Sequence, residues 1–225
     1  MTQSKGPAII IGYGPGVSGA VAEAFAKEGY PLALIARDTA KLDAAVTAFH
    51  ASGIAARGFA ADAGHATALT TALDAARDAF GDAEVLVYNA ALWRPGPVLA
   101  TTPESFDADF QLCVTGALVA ARALAPAMIA AGRGTLLFTG GGLALYPSPQ
   151  APSLSVGKAG IRALALMLAA ELAPSGIRVG TVTIAGEVAA GTAFAPEKIA
   201  DAFLALHRSP PDPATAEVVF RGSGS

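Results

Sequence analysis

Cysteine is nearly absent from this chain. Cys113 stands alone, so no internal disulfide can form and no thiolate cluster can hold zinc. Histidine is almost as scarce: His50, His65 and His207 are isolated from one another, no metal site is expected, and each is expected at the surface. Charge is thin as well. Asp, Glu, Lys and Arg make up 15% of 225 residues, the net charge is −3, and no run of Lys or Arg occurs, which argues against a nucleic-acid partner. No uninterrupted apolar stretch reaches the ~18 residues of a membrane span. The opening Met-Thr-Gln-Ser-Lys-Gly-Pro lacks the layout of a secretory signal, so the expectation is a cytoplasmic protein without a membrane partner.

What fills the chain is small and apolar. Hydrophobic residues reach 53%, much of it Ala, which favours helices lying close on a sheet. The pattern alternates. Strands are expected at Ala8–Ile11, Leu32–Ala36, Ala56–Ala60, Val85–Tyr88, Thr135–Thr139, Val179–Ile184 and Ala216–Phe220, with helices at Ser18–Glu28, Ala40–Ala51, Ala66–Phe80, Pro103–Ala131, Ser153–Ala173 and Pro196–His207. Such alternation implies a doubly wound parallel α/β sheet of about seven strands with helices on both faces. Neither a repeat nor a linker breaks it, so residues 1–225 are read as one domain. Ser209-Pro-Pro-Asp-Pro213 reads as a surface connection and residues 222–225 as a mobile end.

The most informative stretch is Ala8 to Gly19. An aliphatic run, Ala8 to Ile11, breaks into Gly12, Gly14, Gly16 and Gly19 and then into a helical pattern. A strand, tight turn and helix start in that order leave bare N–H groups and the positive end of a helix dipole aimed at an anion. Gly14-Pro-Gly16-Val-Ser-Gly19 fits the GxGxxG spacing of a Rossmann-like dinucleotide site, with Gly12, Gly14, Gly16 and Val17 expected against the bound group. After the second strand come Ala36 and Arg37 rather than an acidic residue. Arg37 can pair with a 2′-phosphate, which favours NADP(H) over NAD(H). Asp38 reads either as a ribose contact or as the N-cap of the next helix. Asn89, at the end of the fourth strand, is placed to hold neighbouring strand ends together, and Ala90 and Ala91 permit close passage beside a flat ring.

These residues, with Asp62 after the third strand and Lys158 in a helix followed by the Val179–Ile184 strand, resemble the short-chain dehydrogenase/reductase superfamily over Ala8 to about Thr192. By that resemblance Gly12, Gly16 and Gly19 form the phosphate turn, with Ser18 where a third glycine is common. Arg37 recognises the phosphate, Asp62 and Ala63 lie beside the adenine, Asn89 and Ala90 supply the fourth-strand Asn-Ala, and Lys158 holds the nicotinamide ribose. Ala185-Gly186-Glu187-Val188 falls where the family contacts the carboxamide, so Gly186 and Val188 join the cofactor residues, with Thr192 nearby.

The catalytic half departs from the family pattern. Four residues before Lys158, where the resemblance calls for a tyrosine, stands Leu154; the serine position falls at Gly141 and the helix asparagine at Cys113. Leucine neither donates a proton nor holds an oxyanion. Substitute donors are Tyr146, whose Pro-rich loop can fold over the nicotinamide, then Ser155, Ser153 and Thr139; Ser153 also reads as a helix N-cap and Cys113 as packing. Ala91 to Pro97, with Trp93, forms an expected apolar wall of a substrate pocket, and Arg94 reads either as an acid-binding residue or as a solvated loop charge. The leading reading is an NADP(H)-dependent oxidoreductase for a small carbonyl or alcohol with an unconventional donor. The alternatives are an NADP(H)-binding sensor or scaffold and a non-redox enzyme on the same fold. By resemblance the two long helices are expected to build a homodimer or homotetramer.

Overall fold

The computed structural model describes residues 5–222, so the expected mobile end lies, from residue 223 on, outside the described residues. Ala8–Ile11 form β1, whose four aliphatic side chains are all buried. Strands β2 (Leu32–Ala36) and β3 (Ala56–Ala60) extend the sheet on one side of it. On the other side lie β4 (Val85–Tyr88), β5 (Gly134–Thr139), β6 (Ile177–Ile184) and β7 (Glu217–Phe220). The order is β3-β2-β1-β4-β5-β6-β7 and every pairing is parallel. The order in which strands are added across the sheet therefore reverses between β1 and β4, and at such a switch point a crevice opens beyond the carboxyl ends of the strands.

Alternation along each strand feeds two cores. Ile9, Ile11, Leu86, Leu136 and Phe138 face α3 (Ala66–Phe80), α5 (Gly116–Ala131) and α6 (Pro152–Leu172). Ile10, Leu34, Val87 and Leu137 face α1 (Val17–Lys27), α2 (Thr39–Ala51) and α7 (Pro196–Arg208). The expected seven strands and the helices on both faces are present, with element ends differing by a residue or two.

One expected helix is two. Pro103–Ala131 divides into α4 (Pro103–Phe110), a π-helical turn at Gln111–Thr115, and α5. The Tyr88 hydroxyl donates to the Leu112 carbonyl and draws it out of the regular ladder. A Cβ on Gly116 would lie 2.3 Å from both that hydroxyl oxygen and the Ala63 carbonyl. Nothing in the apolar spacing of the helix betrays this, because its cause sits on β4. As hydropathy windows rather than uninterrupted runs, Pro103–Ala131 and Pro152–Ser175 are long and apolar enough to cross a membrane, yet both supply buried residues to the core on one face of the sheet.

His207 corrects the expectation of a surface histidine. Its ring meets Phe25 and Tyr30 edge-on, with centroids 5.2 and 5.6 Å away. Its nitrogens pair with the Tyr30 hydroxyl and with Thr135 Oγ1, each at 3.0 Å, tying α7 to β5. Burial, then the nearby Lys5 ammonium, pushes its pKa below the ordinary histidine value. The fold thus favours the neutral ring, and its contribution to stability is complete above the unfolded value of about 6.5 and is lost as pH falls through the lower folded value. We expect the difference in Tm between the wild type and His207→Gln to be greatest at about pH 8 and to narrow below about pH 6.5. A difference independent of pH would contradict this role.

Candidate functional site: a two-part cleft at the switch point

Two clefts open at the carboxyl ends of the strands, with the glycine turn between them. A smaller one, about 280 Å³, is lined by Gly12–Pro15, Ile35–Asp38, Lys41, Ala61–Ala63 and Asn89–Ala91. The larger, about 830 Å³, begins at Val17 and is walled by Trp93, Thr139–Leu143, Tyr146, Leu154, Lys158 and Ile184–Val188, with Arg221.

The turn takes its shape from glycine. Gly12 has φ +76°, and a Cβ there would lie 2.6 Å from the Ala90 backbone, so no other residue fits without moving β4 away from β1. Asn89 Nδ2 donates to the Gly12 carbonyl at 3.2 Å, the strand-end tie that Asn89 is expected to make. Sequence reasoning missed the work of Ser18. Its hydroxyl accepts from Gly14 N–H at 2.9 Å and donates to the Gly12 carbonyl at 3.0 Å, closing the turn from inside. The Gly14 N–H is thereby taken, which moves the free donors onward. The first turn of α1 has no side-chain cap, so the N–H groups of Val17, Ser18 and Gly19 lack intrahelical partners. Nothing lies within 4 Å of a Cβ built on Gly14 or Gly16. Open space over bare amides at a helix N-terminus is an anion cradle.

Farther along the smaller cleft, Arg37 extends into solvent with its guanidinium 3.8 Å from Asp62. Asp62 also accepts from Gly64 N–H at 2.8 Å. Asp38 is the N-cap of α2, accepting from Lys41 N–H, which decides between its two readings. Lys41 itself lines this cleft, with its ammonium 3.2 Å from Asp38. A basic residue four positions after Arg37, in the first turn of α2, was the signal available for finding it.

In the larger cleft Lys158 donates to the Thr139 carbonyl at 2.7 Å. Burial pushes its pKa below that of a free lysine, against an opposing pull from Cys113. An ammonium has three donors, so two remain for a ligand. Thr139 Oγ1 is the one buried side-chain polar atom without a partner among the described residues, and Thr139 forms part of this wall. A buried hydroxyl left unpaired costs about 1–3 kcal/mol. Tyr146 and Trp93 are 67% and 61% exposed and border the same cleft, as do Gly186 and Val188.

Several expected donors are not brought to the cleft. Ser155 is buried, donates to the Ala151 carbonyl at 2.8 Å and accepts from Ser148 N–H, which withdraws it from proton transfer. Ser153 is not an N-cap: Ala151 holds that place, and the Ser153 hydroxyl donates to Asp109 at 2.7 Å. Arg94 is exposed, its side chain 44% accessible, as expected of a loop charge, but its guanidinium is held by Asp109 through two hydrogen bonds. Thr192 spends its hydroxyl on the Ala189 carbonyl. Cys113 is buried against Gly157, and burial pushes its thiol pKa up.

The residues present fit a dinucleotide. The cradle at Gly16–Gly19 suits a diphosphate, Arg37 and Lys41 flank the far end, and Lys158 with the unpartnered Thr139 hydroxyl lies at the other.

Comparison with known proteins agrees. Residues 7–198 match the short-chain dehydrogenase family. The chain is 30% identical over 182 residues to 2-(S)-hydroxypropyl-CoM dehydrogenase 3 of Xanthobacter autotrophicus, covering 79% of this chain and 71% of that one. A metagenomic short-chain oxidoreductase solved in complex with NADP superposes with TM-score 0.86 at 28% identity, over 97% of this chain and 98% of that one. An NADPH-bound short-chain oxidoreductase of Pseudomonas aeruginosa with an atypical catalytic center superposes with TM-score 0.85 at 26% identity, over 95% and 94%. A turn at Gly12 that only glycine can make, a cleft lined by both Val17 and Lys158, and a match that spans most of the sequence go together, and the chain belongs to the short-chain dehydrogenase family, as an NAD(P)-dependent oxidoreductase.

Proposed function

We propose that this chain is an NADP(H)-dependent oxidoreductase for a small carbonyl or alcohol, a single Rossmann-fold unit in which Tyr146 supplies the proton. The observation that carries the reading is the presence of Tyr146 and Lys158 on the walls of one cleft whose lining is otherwise mostly apolar. By the family resemblance, Leu154, Gly141 and Cys113 occupy the positions of the usual acid, orienting hydroxyl and relay amide. None of these three can protonate a carbonyl oxygen there: Leu154 and Gly141 have no donor, and Cys113 is buried with a raised pKa.

The bound nicotinamide supplies or accepts the hydride. The chain's own residues do the rest. Main-chain amides of α1 hold the diphosphate, and Arg37, supported by Lys41, binds the 2′-phosphate in place of its present partner Asp62. The two free donors of Lys158 take the ribose hydroxyls. Leu143, Leu154, Ile184 and Val188 keep water from the reacting carbon. The Tyr146 phenol donates to the carbonyl oxygen in reduction, and its phenolate takes the alcohol proton in oxidation. Exposed Leu118 and Ile129 on α5 and Val156 and Met167 on α6 support a homodimer or homotetramer. The apolar face that each long helix packs against the sheet supports a soluble enzyme, which we place in the cytoplasm.

NADPH is expected to bind more tightly than NADH in a fluorescence titration, with the difference lost in Arg37→Ala; equal affinities in the wild type would defeat the cofactor assignment. With NADPH and a broad carbonyl panel, Tyr146→Phe should lower kcat by roughly 10²-fold or more and leave NADPH affinity unchanged, whereas Lys158→Ala should weaken both. Unaltered turnover in Tyr146→Phe would move the acid elsewhere.

A further inference from the structure

Three side chains with unrelated readings in the sequence meet at one buried carboxylate. Asp109, in the last turn of α4, is only 5% exposed. Arg94 donates to it through Nε at 2.9 Å and Nη2 at 3.1 Å, one bond to each carboxylate oxygen, and Ser153 donates at 2.7 Å. Burial alone would raise the Asp109 pKa, but the bonds from Arg94 and Ser153 hold it below the ordinary carboxylate range. None of the three lines the larger cleft, but two of them adjoin residues that do. Arg94 follows Trp93 in the wall loop after β4, and Ser153 precedes Leu154 in the first turn of α6.

The contact has a second rung. Cys113, one helical turn beyond Asp109, lies against Gly157, one helical turn beyond Ser153 and next to Lys158. A Cβ on Gly157 would come within 3.0 Å of the sulfur, so the two segments lie in close contact there. One rung is apolar and sets how near α6 approaches. The other is ionic and directional, and it alone reaches out to the wall loop. The pair is only partly desolvated, with Asp109 5% and Arg94 44% exposed, and its two parallel bonds to one carboxylate give it a single bidentate geometry.

We propose that Asp109 is a positioning residue for substrate, locking the Trp93 loop onto the head of α6 so that Trp93 and Leu154 form fixed walls beside Lys158. A backbone bond from Gly96 N–H to the Gln150 carbonyl at 3.0 Å ties the same loop to the approach to α6 and leaves its other end to the carboxylate. The proposal rests on the oxidoreductase reading for its kinetic consequence, while its structural consequence can be read without turnover.

Trp93 is the only tryptophan, so intrinsic fluorescence reports this loop directly. In Arg94→Gln, Trp93 anisotropy should fall and acrylamide quenching rise, with Arg94→Lys restoring part of each. Ser153→Ala, which leaves the surface charge intact, should move both in the same direction by less. With a carbonyl substrate identified from the panel, Arg94→Gln should raise KM at least about fivefold while kcat and NADPH affinity stay within about twofold. Wild-type anisotropy and quenching in both Arg94→Gln and Ser153→Ala, in protein whose circular dichroism is unchanged, would overturn the proposal. So would a fall in kcat with KM unaltered. Failure of every carbonyl to react defeats the oxidoreductase reading alone, since the fluorescence arm still decides the role of Asp109.

Discussion

The close approach of Gly12 to Ala90 governs the layout of this molecule. With 2.6 Å between the Ala90 backbone and the place where a Cβ would stand, the end of β1 and the end of β4 can come together only through a residue without a side chain. Asn89 then bonds to the Gly12 carbonyl from the β4 side and Ser18 bonds to it from the α1 side. That small knot aims the first turn of α1 at the crevice, with Arg37 after β2 in the smaller cleft and Lys158, on α6 and bonded to the end of β5, in the larger. Backbone amides are therefore free to grip an anion, while in the proposed reading side chains at a distance choose which nucleotide is bound and what is done with it.

Much of this was legible in the sequence because it rests on local patterns. Aliphatic runs of four to eight residues between helical stretches give the strands, and the glycines mark the turn. What was not legible depends on contacts between residues far apart in sequence. The π-helical turn at Gln111–Thr115 follows from a hydroxyl on β4. His207 looks like an ordinary exposed histidine near a helix end until Phe25, Tyr30 and Thr135 are placed around it. Arg94 and Ser153 each invited a separate local reading, and only the fold shows that both address Asp109. Ser155 is a candidate by spacing alone, and the direction of its hydroxyl removes it.

The site has an uneven polarity that matches the division of labour proposed for it. The nucleotide side is rich in main-chain donors and in Arg37, Lys41, Asp38 and Asp62, whereas the larger cleft is mostly apolar, with Lys158 and the Thr139 hydroxyl at its base and Tyr146 at its border. A single donor aimed at the place where charge develops can stabilise it even at the border of a mostly apolar cleft. An apolar residue at Leu154 and none at Gly141 therefore need not end hydride chemistry, provided that one phenol reaches the reacting oxygen.

The claim beneath all of this is that bare amides at the start of α1 and the lysine on α6 hold the two ends of one nucleotide. A crystal structure with NADPH at saturating concentration tests it directly. The account predicts density for the diphosphate against the N–H groups of Val17 and Ser18, with the nicotinamide end beside Lys158 and the Thr139 hydroxyl. Density bound elsewhere on the molecule, or none with the glycine turn left bare, would contradict it.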